Sequence, residues 1–155
     1  MRTGFGLDVH ALDGEPPLIL CGVVVSEAVG LSGTSDADAA AHAVGDALLG
    51  AAVLGDIGTH FPSSDPAMVG ADSMEMLRSI VAMVGAAGFR TEHVDLTLVA
   101  QTVRMGPHRE AMRQNLSGVL GIDAKAVSVK ATTTDGLGLI GRGEGVAAIA
   151  VATVS

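Results

Sequence analysis

The sequence predicts an α/β fold: a single two-layer domain whose mixed sheet of about four main strands carries three helices on one face. Three observations point to it. Residues 94–100 and 127–131 alternate polar and apolar positions, the period of a half-buried strand. Residues 73–87 place Met76, Leu77, Ile80, Val81 and Val84 on one side of a helix. The segments run strand, short strands, helix, helix, strand, helix, strand, strand, an order that packs helices against a mixed or antiparallel sheet. At 155 residues, 48% of them apolar, the chain suits one domain over residues 1–155. Three phenylalanines are its only aromatics among Phe, Trp and Tyr, so the core must be built from Val, Leu, Ile, Ala and Met. One sheet face then needs another subunit to cover it.

Residues 2–10 read as the first strand, and they contain the most informative stretch, Gly6-Leu7-Asp8-Val9-His10. The two-residue period sets Asp8 and His10 side by side on one face and turns Leu7 and Val9 the other way, into a core. A carboxylate and an imidazole so placed suit a zinc-like ion, which wants a third protein ligand and, in a catalytic site, an open position. The pair alone is weak evidence, because a polar strand end or a satisfied histidine is the commoner reading. Residues 13–17 form a turn, and residues 18–21 and 23–25 are short β runs separated by Gly22. Residues 30–35 are loop.

A helix follows over about residues 38–53, with Ser35 and Asp38 at capping-box spacing. Asp38, His42 and Asp46 share one of its faces, extended by Leu49 and Val53, while Val44, Leu48 and Ala52 form an apolar stripe. His42 has two readings: the third metal ligand, oriented by a neighbouring carboxylate, or a polar-face histidine bonded to Asp38 or Asp46. Residues 55–62 are a glycine-flanked loop that either presents Asp56 or His60 to a ligand or is simply the helix exit; residues 63–66 continue as turn. Asp72 or Ser73 caps the helix of residues 73–87, which Gly88 ends. The strand at 94–100, a loop at 101–107 carrying Arg104, a helix at 108–118, the strand at 127–131 and a last strand at 146–154 complete the chain.

A net charge of -8 argues against a nucleic-acid groove, which is basic, but leaves an anionic small molecule open. Cys21 is the only cysteine, so no internal disulfide forms, and it reads as a small buried hydrophobe. No apolar run approaches the roughly 18 to 20 residues of a membrane span, and no secretory pattern opens the chain; a cytoplasmic location is the default. Near the other end, Thr132, Thr133 and Thr134 offer hydroxyls after a strand. Asp135 adds a hard oxygen ligand for magnesium or manganese, and Arg142, between glycines, can reach a phosphate. Alternatively, Arg142 pairs with Glu144 at a strand-entry turn. Neither a P-loop nor a Gly-x-Ser-x-Gly nucleophile context is present.

Several motifs in order carry a family resemblance: Asp8-Val9-His10; Ser35-Asp36-x-Asp38 with His42; Asp46-Ala47-Leu48-Leu49-Gly50-Ala51-Ala52; Gly55-Asp56-Ile57-Gly58-x-x-Phe61-Pro62; Ser64-Asp65-Pro66; Lys130-Ala131-Thr132-Thr133-Thr134; and Gly141-Arg142-Gly143-Glu144-Gly145. Together they resemble the 2-C-methyl-D-erythritol 2,4-cyclodiphosphate synthase family of the non-mevalonate isoprenoid pathway. The resemblance implies a homotrimer whose sheets face the threefold axis, with active sites between adjacent subunits. It implies one zinc ion per chain on Asp8, His10 and His42, and magnesium or manganese at Asp135 with the substrate diphosphate. The implied reaction cyclises 4-diphosphocytidyl-2-C-methyl-D-erythritol 2-phosphate and releases CMP.

The implied catalytic residues are Asp56, Thr133, Thr34 and Asp135. Around the methylerythritol and its phosphates the resemblance places Asp8, His10, Ser35, Asp36, Asp56, Ile57 and Gly58, with Phe61, Ser63 and Asp65 in the following loop. Residues 100–106, including Ala100, Arg104, Met105 and Gly106, join Ala131, Thr132 and Thr133 of the neighbouring subunit in a cytidine and phosphate pocket. Thr134, Leu139 and Arg142 complete the substrate contacts. Arg142 and Glu144 would lie near the axis, where a phosphate or isoprenoid can bind. The chain departs from the family pattern at Thr34, which replaces a histidine, at Ser63, at Phe5, at Leu139-Ile140, at Thr102-Val103-Arg104 and at Asp135, which replaces a glutamate. Thr34 and Asp135 imply slower turnover. Two other readings are a low-activity zinc-bearing trimer that binds cytidine diphosphate or an isoprenoid, and a purely structural α/β trimer.

Overall fold

The structure, a computed structural model, describes residues 1–155. Strand β1 (Arg2–Ala11) is followed by short strands β2 (Leu18–Leu20) and β3 (Val23–Ser26), helix α1 (Ala39–Ala52), the single turn α2 (Ile57–His60) and helix α3 (Ser73–Ala86). Strand β4 (Thr91–Val99), helix α4 (Arg109–Leu120), strand β5 (Val127–Thr132), the turn α5 (Gly138–Gly141) and strand β6 (Gly145–Val154) complete it. β2 and β3 form a separate hairpin; the other four strands make the expected mixed sheet, in the order β1-β6-β4-β5. β6 is antiparallel to β1 and β4, whereas β5 is parallel to β4. A parallel pair needs a crossover, and α4 supplies it. Cys21 is fully buried, as a small hydrophobe would be.

Local chemistry moves several expected boundaries. Residues 55–62 are not all loop, because Asp56 caps the turn α2 through Thr59 N at 2.9 Å. The turn α5 lies where no helix is expected; glycines at both its ends leave no periodicity to read. The capping box of Ser35 and Asp38 does not form. Asp38 is itself the N-cap of α1: Oδ1 accepts from Ala41 N at 2.9 Å, and Oδ2 from Gly22 N at 2.8 Å. Ala37, at a φ of 57°, sits in the left-handed region, so helical geometry cannot extend back to Ser35.

Eleven of the fourteen residues of α1 are buried; the other three, His42, Asp46 and Gly50, lie four apart, so this central helix keeps only a narrow polar stripe. It packs on β1 and β6 below and on α3 above, so the helical layer is two deep there; α3 rests mainly on α1 and α4. A single core cluster runs through α1, α3, α4 and the helix-facing side of the sheet. On β1 that side carries Gly4, Gly6, Asp8 and His10. A Cβ on Gly4 would sit 2.0 Å from the Ala47 carbonyl oxygen, and one on Gly6 would sit 1.9 Å from that of Ala43. The absent side chains let the α1 backbone settle directly onto β1.

Leu7 and Val9 therefore do not enter a core. They lie on the opposite face with Phe5, at 52%, 48% and 63% exposure. The alternation was legible, but the glycines on the even positions, rather than the large apolar residues on the odd ones, mark the packed side.

Adding a methyl at Gly6 forces the backbones apart. Gly6→Ala is expected to cost about 3 kcal/mol or more in urea denaturation. Gly50→Ala, exposed on α1 with nothing within 4 Å of the added atom, should gain up to about 1 kcal/mol. Burial raises the Asp38 carboxyl to about 6 from 3.8, against the backbone N–H groups that favour its ionised form. The folded chain then holds a proton that the unfolded chain has released. The Asp38 contribution to stability should fall as pH rises from about 4 to about 6, by roughly 3 kcal/mol at most, and stay flat above. Subtracting the Asp38→Asn denaturation profile from that of the parent chain isolates the effect, and a flat difference would contradict it.

Candidate metal centre

Seated on β1, α1 brings His42 over the end of the strand. Asp8 Oδ2 lies 2.8 Å from His10 Nε2 and 3.0 Å from His42 Nδ1. One ligand atom from each of the three residues lies within 4.8 Å of the other two. The second nitrogen of each ring is also engaged: His10 Nδ1 lies 2.7 Å from the Ser32 carbonyl, and His42 Nε2 lies 2.9 Å from Ser73 Oγ. A carbonyl only accepts, so His10 Nδ1 carries a proton; Nε2 donates to Asp8 when the ring is doubly protonated and offers its lone pair to a metal when the ring is neutral. Burial raises the Asp8 carboxyl, but hydrogen bonds and charge from His10 and His42 more than reverse this, holding it well below the usual carboxylate range. The bond to Asp8 raises His10 above the ordinary imidazole value, against its own burial. Two imidazoles and an ionised carboxylate converging from one side form a donor set for a transition-metal ion with an open coordination position.

The open side gives onto a cavity of about 240 Å³. Its polar floor is Asp8, His10, His42, Thr34 and Ser35. Ile57, Gly58, Phe61, Ser63, Met68 and Met76 wall it. Asp46 does not bond His42; its Oδ1 accepts from Ile57 N at 2.7 Å and sets where α2 begins. Asp38 likewise sends its carboxylate to Ala41 and Gly22, so neither carboxylate of the shared face bonds His42. Asp56 sits at the cap of α2 beside the cavity, with Oδ1 accepting from Thr59 N and Oγ1. Asp65 caps a short turn through Ala67 N at 2.9 Å. His60 Nε2 is bonded to the Leu54 carbonyl at 2.8 Å, and His60 does not line the cavity.

A second cleft, of about 520 Å³, lies at the same end of the sheet. The loop carrying Ala100, Arg104, Met105 and Gly106 forms one wall; Ala131, Thr132 and Thr133 form the other. Both walls belong to one chain, because β4 and β5 pair in register, Leu98 with Ala131 and Val99 with Thr132. The split of these walls between subunits is corrected accordingly. Asp135 adjoins the cleft, its Oδ1 accepting from Thr133 Oγ1 at 3.2 Å. Thr134 Oγ1 donates to the Leu137 carbonyl at 2.7 Å, and Leu139 is half exposed on α5. Arg142 lines neither cavity; its guanidinium donates to Glu144 from Nε at 2.6 Å, the strand-entry pairing that the sequence left open.

Two groups of residues escape the sequence. Met68 and Met76 wall the cavity, although a methionine on a helix reads as core filler. Ser73 reads only as a possible cap; Asp72 takes that role through Met74 N at 2.8 Å, leaving Ser73 to His42. Nothing local in the sequence could pair residues so far apart.

A family model described as the YgbB family matches residues 1–155. The bifunctional enzyme IspD/IspF of Novosphingobium aromaticivorans is 56% identical over 153 residues, 99% of this chain but 40% of that protein. This chain thus spans less than half of that relative. The 2-C-methyl-D-erythritol 2,4-cyclodiphosphate synthase of Symbiobacterium thermophilum is 50% identical over 155 residues, 100% of this chain and 99% of that one. A solved 2C-methyl-D-erythritol-2,4-cyclodiphosphate synthase in a CDP-bound form matches with a TM-score of 0.90 at 37% identity, covering 99% of this chain and 100% of that chain.

Proposed function

The chain belongs to the YgbB family, that of the 2-C-methyl-D-erythritol 2,4-cyclodiphosphate synthases, and on that premise we propose that it is a phosphorus-oxygen lyase acting on 4-diphosphocytidyl-2-C-methyl-D-erythritol 2-phosphate. The 2-phosphate oxygen forms a bond to the β-phosphorus, the bond from that phosphorus to the bridging oxygen breaks, and CMP leaves with the electron pair. The observation that carries this reading is the Asp8, His10 and His42 cluster at the floor of a cavity.

The nucleophile belongs to the substrate, so the chain needs no nucleophilic side chain. Its residues have to fold the substrate until two anionic groups meet; good orientation of an intramolecular attack is worth about 7 to 11 kcal/mol. Ile57, Gly58 and Phe61 bound the space for the methylerythritol, Asp56 holds its hydroxyls, and Thr34 and Ser35 offer hydroxyls to phosphate oxygens. The cleft of Ala100, Arg104 and Gly106 with Ala131 to Thr133 takes the cytidine diphosphate end, with Arg104 supplying a cation. When bound, zinc on Asp8, His10 and His42 and magnesium or manganese at Asp135 supply Lewis acidity to the inner phosphoryl and neutralise charge on the diphosphate.

No residue lines both cavities, and Phe5, Leu7 and Val9 form an exposed apolar row on the sheet face without helices. Both features support a homotrimer whose sheets face the threefold axis and whose neighbouring chains complete one another's sites. Arg142 and Glu144 then stand near the axis, where a phosphate or isoprenoid ligand fits. The working location is cytoplasmic; no helix is long and apolar enough to cross a membrane. A low-turnover or structural role is not favoured, since the relatives matched over their whole length are named as synthases.

Two measurements test this. Protein purified without added metal should contain about one zinc per chain. His42→Ala should contain almost none and release CMP only at background rate; metal-free parent protein with full activity would end the reading. Sedimentation should give three times the 15.5 kDa chain mass, and Leu7→Asp should shift it to smaller species and abolish CMP release. An active monomer would remove the shared-site arrangement.

A further inference from the structure

Ser73 is 1% exposed at the first turn of α3. A serine hydroxyl has one proton to donate and two lone pairs. The Ser73 hydroxyl donates to Asp36 Oδ1, a carboxylate oxygen that can only accept. With its proton placed there, Ser73 Oγ meets His42 Nε2, 2.9 Å away, as an acceptor. The His42 proton therefore belongs on Nε2 and its lone pair on Nδ1, the atom that faces Asp8. Ser35 Oγ lies farther from the same nitrogen, at 3.3 Å.

Asp36 is itself fixed. Its Oδ2 accepts from Ser73 N at 3.1 Å, and its Oδ1 also accepts from Asp38 N at 3.2 Å. Its three hydrogen-bonding neighbours are all donors, and neither Asp36 nor Ser73 lines the cavity of the metal centre. We propose that Asp36 and Ser73 are positioning residues that hold the His42 ring in the orientation and tautomer whose Nδ1 binds the metal. For His10 the Ser32 carbonyl does the same in a single step. Asp36, placed among the substrate contacts by resemblance, instead acts through Ser73 on the metal ligand. The inference rests on the reading of Asp8, His10 and His42 as a zinc site.

The test compares zinc affinity, by competition with a chromophoric chelator, and the imidazole N–H proton resonances of the zinc-loaded full chain. In the parent protein both the His42 Nε2–H and the His10 Nδ1–H should be protected from exchange. Ser73→Ala should weaken zinc binding about 10- to 100-fold, the usual effect of removing a partner of a metal-bound histidine. It should also lose the His42 proton signal while keeping that of His10, which reports that the site is still folded. Asp36→Asn should do the same, because its amide NH₂ must face a donor in either orientation. Ser73→Thr, which restores the hydroxyl, should recover both readouts, and Ser35→Ala should change affinity less than about threefold. Zinc affinity of Ser73→Ala and Asp36→Asn within about twofold of the parent would overturn the proposal. So would joint loss of both histidine signals, which would point to collapse of the site. Parent protein that binds no zinc would sink the metal reading itself, an outcome distinct from equal binding by parent and variants.

Discussion

The structure depends on how closely α1 lies on β1. Gly4 and Gly6 leave no room between the strand and the carbonyls of Ala43 and Ala47, and the alanines of α1 repeat this economy of side chains towards Ala148, Ala150 and Ala152 of β6. His42 sits on the same helix, one residue before Ala43. Its Nδ1 comes within 3.0 Å of Asp8 Oδ2 only because the backbones touch. A methyl on Gly6 would open the gap by more than a hydrogen bond tolerates. The packing that secures the core is thus also what assembles the three donors.

A chain with a net charge of -8 would be an unexpected host for the diphosphate that we propose it binds. The placement of its carboxylates resolves the conflict. Asp38, Asp56, Asp65, Asp72 and Asp123 each accept a backbone N–H within the turn that they begin. There the exposed peptide dipoles and unpaired donors of a helix start partly offset the charge. Asp46 fixes the start of α2, and Asp36 is surrounded by donors. Of the carboxylates around the cavity, Asp8 is the one left on its floor, and there it meets two imidazoles, a group that could hold a cation. Local positive charge decides the matter at these distances, since the field of remote carboxylates is screened.

The sheet has two unlike faces. One carries the helices and the core; the other presents Phe5, Leu7 and Val9, with the Asp95–Lys130 pair at 2.6 Å farther along. Such a face is costly in water and would be economical in the proposed trimer, where the same row would cover itself on neighbouring chains. This asymmetry also explains why the apolar alternation of β1 misleads: the largest apolar residues lie on the exposed face, while the interior side is nearly side-chain-free.

Much of this was legible in the sequence. Period-two alternation located the main strands, helical spacing located α1, α3 and α4, and Asp8, His10 and His42 stood out because each motif is local. The order of segments left a mixed or an antiparallel sheet open, and the parallel pairing of β5 with β4 makes it mixed. The extent of α1 was legible as well, but the capping box at its start did not form, because a left-handed Ala37 cannot be read from an alanine, and α5 lacked any periodic signal. The sequence by itself determined that Asp8, His10 and His42 could serve together as metal ligands and which elements hold them. Only the tertiary structure decided which face of β1 is the interior, that both walls of the second cleft belong to one chain, and that Asp36 and Ser73 stand behind His42. Those are relations between segments far apart in the chain, set by how closely backbones approach and where each proton can go, and no local pattern of residues encodes them.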